Sequence, residues 1–348
     1  MTVLQTLAGH EIVTGFSPRF KSRSHSEVAS TIERLLGTSH GRTIGRLIAV
    51  AASILWLPIS GQVSTFAQSP THAIFIAGPT LTGILSEQGE VEWDSQKPGA
   101  RDGFILPSGN ALIAWKDEVL EMTRDHQTVF RYQRSEMNSE LGTVQRLSSG
   151  NTLVTELGVK PRLLEISPEG KIVIDVPLQP ETDNAHMQTR MARKLANGNY
   201  LVPHLLAFKV KEYAADGRVV SELRTDIESL GGRAAENWPF TAIRLDNGNT
   251  LTTLTHGNKV VEWNAGGEAV WTLTNDDLRQ RPLVDPCGAQ RLPNGNTVIA
   301  SYGATDGIKI FEVNPAKEMV WSYDGPQRAH EIQVLTTNGK PLTGPPLK

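Results

Sequence analysis

Five copies of one short phrase run through the chain: Leu106-Pro-Ser-Gly-Asn110, Leu147-Ser-Ser-Gly-Asn151, Leu195-Ala-Asn-Gly-Asn199, Leu245-Asp-Asn-Gly-Asn249 and Leu292-Pro-Asn-Gly-Asn296. A degraded sixth copy follows at Leu335-Thr-Thr-Asn-Gly339. The five glycines are 41, 48, 50 and 47 residues apart. A period of that size marks stacked supersecondary units, most often propeller blades. Each Asn-Gly or Ser-Gly pair lies between a stretch such as Val144-Gln-Arg-Leu147 and a β-branched stretch such as Asn151-Thr-Leu-Val-Thr155, which predicts a tight hairpin.

Two further strands recur. Val119-Leu-Glu-Met122, Leu163-Leu-Glu-Ile166, Val210-Lys-Glu-Tyr213, Val260-Val-Glu-Trp263 and Ile310-Phe-Glu-Val313 repeat one glutamate position, and nine residues beyond it stand Phe130, Ile174, Ser221, Trp271 and Trp321. Gly170, Gly217 and Gly267 mark the turn between these strands, where a positive φ is expected. His126 holds the same turn position in another repeat and is expected to be structural. Four antiparallel strands per repeat make a propeller blade.

The ends of the array set the count. His72-Ala-Ile-Phe-Ile76, Thr82-Gly-Ile-Leu85 and Gly89-Glu-Val-Glu-Trp93 are three strands of a blade lacking its first, and Ala329-His-Glu-Ile-Gln-Val-Leu335 is a first strand without successors. Joining them removes two open sheet edges. The expected fold is therefore all-β, a six-bladed β-propeller closed by pairing 329–342 with 72–94. Trp93, Trp271 and Trp321 are expected to pack one blade on the next, since each such side chain can bury ~150–250 Å².

Arg42-Thr-Ile-Gly-Arg46 precedes the apolar run Leu47–Ile59, and Ser64-Thr-Phe-Ala67 offers small residues at a cleavage position. Residues 42–67 thus read as an export signal cleaved after Ala67, residues 1–41 as an unstructured extension, and 68–348 as the propeller. The expected location is periplasmic or secreted, with no membrane span after cleavage. Residues 1–67 carry six Lys/Arg and three Asp/Glu, so 28 basic and 34 acidic residues remain of the chain's 34 and 37, a net charge near −6. Nucleic acid is excluded as a partner for want of a basic stripe. The single Cys287 forbids an internal disulfide.

In a propeller the first strand of each blade lines the channel, and the loops entering it share a face with those joining strands two and three. His186, His204, His256 and His330 all map to that face. Counting five residues back from each phrase leucine names a ring near the channel mouth: Arg101, Gly142, Arg190, Phe240, Cys287 and His330. Adjacent loops add Asp102, Glu140, Gln188, Glu236, Asn237, Trp238, Asp285, Arg328 and Glu331. This mixture suits a small anionic molecule, with Arg101, Arg190 and Arg328 as clamps. His204, Asn237, Trp238, Cys287, Arg328 and Glu331 join Arg101 as expected ligand contacts. No HxH or HxxxH spacing supports a metal, although a set drawn from several blades stays open, and no Gly-rich phosphate loop or CxxC appears. No cofactor is expected.

The block Cys287-Gly-Ala-Gln-Arg-Leu-Pro-Asn-Gly-Asn-Thr-Val-Ile299, followed by Ile310–Val313 and Met319-Val-Trp-Ser-Tyr323, resembles the blades of arylsulfotransferase-like and PQQ-like six-bladed propellers of exported bacterial proteins, and the resemblance extends over 72–342. It implies sulfuryl transfer between phenols through a histidine nucleophile. The blades of that family often begin with a His-Asp pair, and here only His330, followed by Glu331, is similar to it. The resemblance makes His330 the candidate nucleophile, with His186, His256 and Arg190 as helpers. A bound quinone is not expected, because no vicinal cysteine pair is present and the ring is two blades short of the usual eight. Two functions follow: a monomeric binding module for a small anion or another envelope protein, or a transferase or hydrolase acting on such an anion.

Overall fold

A computed structural model describes residues 69–348, so the extension at 1–41 and the export signal at 42–67 lie outside the described residues. Six antiparallel sheets carry the chain. In sequence order we call them blade I (Glu331–Thr337 with His72–Ala77, Thr82–Leu85 and Val91–Asp94), blade II (from Asp102–Ile105 to Thr128–Gln133), blade III (Asn138–Arg146 to Ile172–Pro177), blade IV (Arg193–Lys194 to Val219–Arg224), blade V (Pro239–Arg244 to Ala269–Leu273) and blade VI (Pro286–Arg291 to Met319–Tyr323). This is the expected six-bladed β-propeller. The ring closes as the termini of the array predict: Glu331–Thr337 pairs with His72–Ala77, Ile76 facing Ile332 and Phe75 facing Gln333. Among the described residues no helix is long and apolar enough to cross a membrane.

The repeated phrase is a turn with a fixed hydrogen-bond pattern. In each copy the glycine N–H donates to the leucine carbonyl three residues back, and the leucine N–H donates to the asparagine carbonyl, at 2.8–3.0 Å. The glycines have φ between +85° and +89°, the left-handed region in which a Cβ is strained. The turn between strands three and four repeats the device with Gly89, Gly170, Gly217 and Gly267 at φ +80° to +86°, while His126 (φ +61°) and Lys317 (φ +67°) adopt the same conformation with a side chain present.

Each seam between blades has its own apolar cluster. Phe75, Ile84 and Ile113 join blades I and II, Leu112, Leu141 and Leu164 join II and III, and Leu163, Val202 and Tyr213 join III and IV. Leu201, Val210 and Ala242 join IV and V, Leu251, Ile299 and Phe311 join V and VI, and Ile74, Val298 and Ile332 join VI and I. The outer tryptophans dock on the following blade as expected: Trp93 Nε1 donates to the Arg124 carbonyl at 2.9 Å, Trp271 Nε1 to that of Pro315 at 3.0 Å, and Trp321 meets the His72 ring edge-on.

The recurrent glutamate locks these seams. It accepts from the last asparagine of its own phrase: Asn110 to Glu121 (2.8 Å), Asn151 to Glu165 (3.2 Å), Asn199 to Glu212 (2.7 Å), Asn249 to Glu262 (2.8 Å) and Asn296 to Glu312 (2.6 Å). Its other contact reaches the residue before the phrase leucine of the next blade: Arg146, Lys194, Arg244 and Arg291 pair with Glu121, Glu165, Glu212 and Glu262. Blade I breaks the pattern twice. Its glutamate slot holds Ile84, and the facing slot on blade II holds Ile105, which packs against the same apolar cluster. At the closing seam Glu312 takes His72 Nε2 at 2.7 Å, and both side chains are sealed from solvent. Glu312→Ala orphans His72 Nε2 and the Asn296 amide together, so urea unfolding should show a loss of about 2–4 kcal/mol. A loss below about 0.5 kcal/mol would show that this pair does not hold the ring shut.

Beyond the degraded sixth phrase the chain does not form a second strand, because His72–Ala77 already fills that place. Lys340–Pro341 pairs instead with Thr336 and Thr337 on the channel edge of blade I. Residues 342–348 then turn inward from the face that carries the Asn-Gly turns: Leu342 N–H reaches the Leu335 carbonyl, and Leu347 bridges Arg291 of blade VI.

Candidate functional site

The ring residues found by counting back from the phrase leucines stand where the inner strands lose their regular ladder. Pairing skips Gly142 between Leu141 and Thr143, Phe240 between Pro239 and Thr241, and Cys287 with Gly288 between Pro286 and Ala289. Such bulges free one residue from the alternation and re-aim its side chain. In blade IV the same stretch is irregular, with Met191 at φ +38°. In blades I and II the ring residues His330 and Arg101 come just before the inner strand, their N–H groups bonded to the Ala77 and Ala114 carbonyls.

One cluster gathers Arg101, Glu140, His186, Arg190 and His330. Arg101 Nη2 donates to Glu140 Oε2 at 2.7 Å, and Arg190 Nη2 lies 3.4 Å from Glu140 Oε1. His186 Nδ1 is 3.3 Å from the same oxygen and 3.0 Å from Arg190 Nη2, and that guanidinium also donates to the His186 carbonyl. Burial would raise the Glu140 carboxyl, but hydrogen bonds from His186 and Arg101 and the charges of Arg101 and Arg190 outweigh it and hold the group well below the carboxylate range. Burial lowers Arg190 to about 10, which leaves it charged at neutral pH. Two guanidiniums sharing one carboxylate leave a net positive charge, and Arg101 is the less buried of the two, with 14% of its side chain exposed against 4%.

His330 lies against this cluster between aromatic rings. Tyr302 stacks on it at 4.0 Å between centroids, and Phe240 lies parallel at 6.5 Å. Its Nδ1 is 3.2 Å from the Ala100 carbonyl, and a carbonyl only accepts, so Nδ1 carries the proton. Burial first, then the charges of Arg190, Arg101 and His186, lower its pKa to about 4. The imidazole is therefore neutral at pH 7, with the Nε2 lone pair unpartnered among the described residues. Arg328 completes this wall, its Nη1 donating to the Tyr302 carbonyl at 3.2 Å and its guanidinium 5.2 Å from the Tyr302 centroid.

His256 belongs to a neighbouring patch. It stacks on Trp238 at 4.0 Å, with Nδ1 3.4 Å from Glu236 and Nε2 3.9 Å from Asp285. Trp238 and Tyr302 pack on the same apolar floor of Met191, Leu205, Phe240 and Cys287, so the two patches border one mouth. Cys287 is sealed in that floor, and burial pushes its thiol up, away from thiolate chemistry.

Three expected contacts are withdrawn from the mouth. His204 is wholly buried, bonded to Tyr213 Oη at 2.8 Å, and burial lowers it to about 3, so it is a neutral element of blade IV. Asn237 is buried, its amide tied to the Leu230 carbonyl and Lys259. Glu331 follows His330 but turns down into the channel, where Arg193 Nη2 stands 3.4 Å away. The His-Asp-like pair suggested by the resemblance is thus not formed, and His330 is oriented by a backbone carbonyl instead. Among the described residues no three His, Cys, Asp or Glu side chains have the geometry to hold a metal ion. Tyr302 was not singled out in the sequence, although it follows the end of a second strand as His256 does.

A family model described as Mal s 1 allergenic protein-like matches residues 84–275. Among solved structures, a protein of unknown function from Bacteroides caccae superposes with a TM-score of 0.66 at 20% identity, over 75% of this chain and 98% of its own. A streptogramin B lyase gives 0.53 at 11% identity over 74% and 85%. A catalytically inactive virginiamycin B lyase from Staphylococcus aureus, with quinupristin, gives 0.50 at 13% over 67% and 73%. At these identities the likeness is one of fold. No curated protein matches the chain in sequence.

Proposed function

The chain belongs to the Mal s 1 allergenic protein-like family, and we propose that it is a binding propeller whose mouth takes a small anionic molecule bearing a planar or aromatic group. The carrying observation is the meeting of a net-positive cluster, Arg101, Arg190 and Glu140, with the stacked rings of His330, Tyr302 and Phe240. Guanidinium supplies directional bonds to an oxyanion, and the rings supply apolar area for the rest of the ligand. The signal read over 42–67 would place this module in the periplasm or outside the cell.

Thermal melting of the purified protein with phenyl sulfate, phenyl phosphate, benzoate and phenol tests the reading. At least one anion should raise Tm, by an amount equivalent to about 2.7 kcal/mol at a hundredfold excess over Kd, whereas phenol should not. Arg101→Ala should abolish the rise. No shift with any anion, or one that survives Arg101→Ala, would overturn the proposal.

A second reading, sulfuryl transfer, is favoured by the tautomer of His330. A neutral imidazole with a free Nε2 lone pair has the form a nucleophile needs. Nε2 would bond to sulfur as the S–O bond to the phenol breaks, the electron pair leaving on the phenolate oxygen, and an acceptor phenol would later take the sulfuryl group and release its proton. Phenol release from an aryl sulfate that His330→Ala eliminates would establish it; equal release by both proteins would remove it.

A further inference from the structure

Below the mouth four buried ionisable side chains from three blades and the inserted segment meet near the channel axis. Arg193 of blade IV grips Asp102 of blade II with both terminal nitrogens, at 2.8 and 3.2 Å, and approaches Glu331 of blade I. Lys348 completes the group. Its Nζ stands 3.7 Å from Asp102 Oδ1, 3.7 Å from Glu331 Oε1 and 4.0 Å from the centroid of the Phe104 ring, and its carbonyl accepts from Arg193 Nε at 2.8 Å. The side chains of Lys348, Asp102 and Glu331 are all sealed from solvent. Lys348 Nζ nevertheless has no partner within hydrogen-bond distance. An ammonium is thus held by two carboxylates and a ring face, a combination that selects a cation by charge and by the ring quadrupole. Burial pushes Glu331 up and Lys348 down, against the pull of the opposite charges around them; without the Lys348 side chain two carboxyl groups would face one guanidinium.

We propose that the channel core is a binding site for a primary ammonium group, and that residues 342–348 fill it from within the chain by inserting Lys348. The segment enters from the face opposite the mouth and is anchored by backbone contacts at Leu342 and Leu347, whose side chains also pack against the VI–I and V–VI clusters. Arg193 Nη2 lies 3.8 Å from Met191 Sδ, and Met191 belongs to the apolar floor of the mouth, so the core abuts that floor from below. The site uses none of the residues assigned to the anion and stands whether or not the mouth binds one.

Lys348→Ala in the full chain deletes a fragment with the shape of n-propylammonium. The variant should melt at lower temperature than the unaltered protein, and propylammonium chloride should raise its Tm by at least about 4 °C, while propanol and sodium chloride at matched ionic strength should not. Unchanged Tm, or a loss that propylammonium and propanol repair equally, would overturn the proposal. Should the variant fail to fold, the unaltered protein still decides. Lys348 should be acetylated at least about tenfold more slowly than the exposed Lys340, and propylammonium, by displacing it, should narrow that gap where sodium chloride does not. Equal acetylation rates, or a gap insensitive to propylammonium, would overturn it.

Discussion

Glu140→Ala is expected to destabilise the protein by about 3–5 kcal/mol and, in the same variant, to create a response to sulfate and phosphate. The carboxylate is the internal anion of the mouth. Removing it leaves Arg190, almost wholly buried, and Arg101 beside it without a counter-charge, and an unpaired buried charge carries a large desolvation penalty. An oxyanion from solution can take the vacated place. Chemical unfolding should therefore show the loss in chloride, and sulfate at matched ionic strength should restore a large part of it. The outcome that sinks the argument is a variant as stable as the unaltered protein, or one that chloride and sulfate stabilise alike, since simple screening does not discriminate between anions.

Mild acid should destabilise the ring before carboxylates begin to titrate. His204 and His330 are held neutral, at about 3 and about 4 respectively, against 6.5 for a free imidazole. Both folded values are depressed, so below pH 6.5 the unfolded chain binds protons that the folded chain refuses. Stability must fall as pH falls from 6.5 toward 4. Each histidine contributes about 1.3 kcal/mol between pH 7 and 5.5, together about 2.5 kcal/mol. Lower down, carboxyls depressed to about 2 add a second limb: Glu156, where donors led by Ser135 and Tyr132 outweigh burial, and Glu181, held down chiefly by Lys209 and Lys211. Their stabilisation is complete above pH 4.5 and is lost as pH drops toward 2. Urea midpoints at pH 7 and 5.5 measure the upper limb, and His204→Asn should halve its slope. A flat profile over that interval would mean that these imidazoles charge freely in the folded state.

How far the sequence reached follows from what is local in it. The phrase, its glycine and its hairpin lie within five residues, so their spacing carries the turn and the blade count with it. The constant glutamate was visible as a repeat, but its partners were not, because Arg146, Lys194, Arg244 and Arg291 stand 25 to 32 residues further on and meet it only when blades stack. The channel mouth shows the same limit in depth rather than distance. Counting back five residues put Arg101 and His330 at the rim, yet Asp102 and Glu331, one residue later, turn down into the channel, since adjacent residues of a strand point to opposite sides. Nothing in the spacing announces that Lys348 meets them there.

The glutamate clamps also give the ring a grammar of succession. Blades II to V each end in the same acidic socket and blades III to VI each begin with the matching cation, so blades III to V, which carry both halves of the joint, could follow one another in any order. Blade I fits neither role: it offers isoleucine forward and histidine backward. A copy of blade III, IV or V could be spliced between blades II and VI without a foreign joint, whereas blade I is an adaptor that makes a linear series of matching parts end where it started.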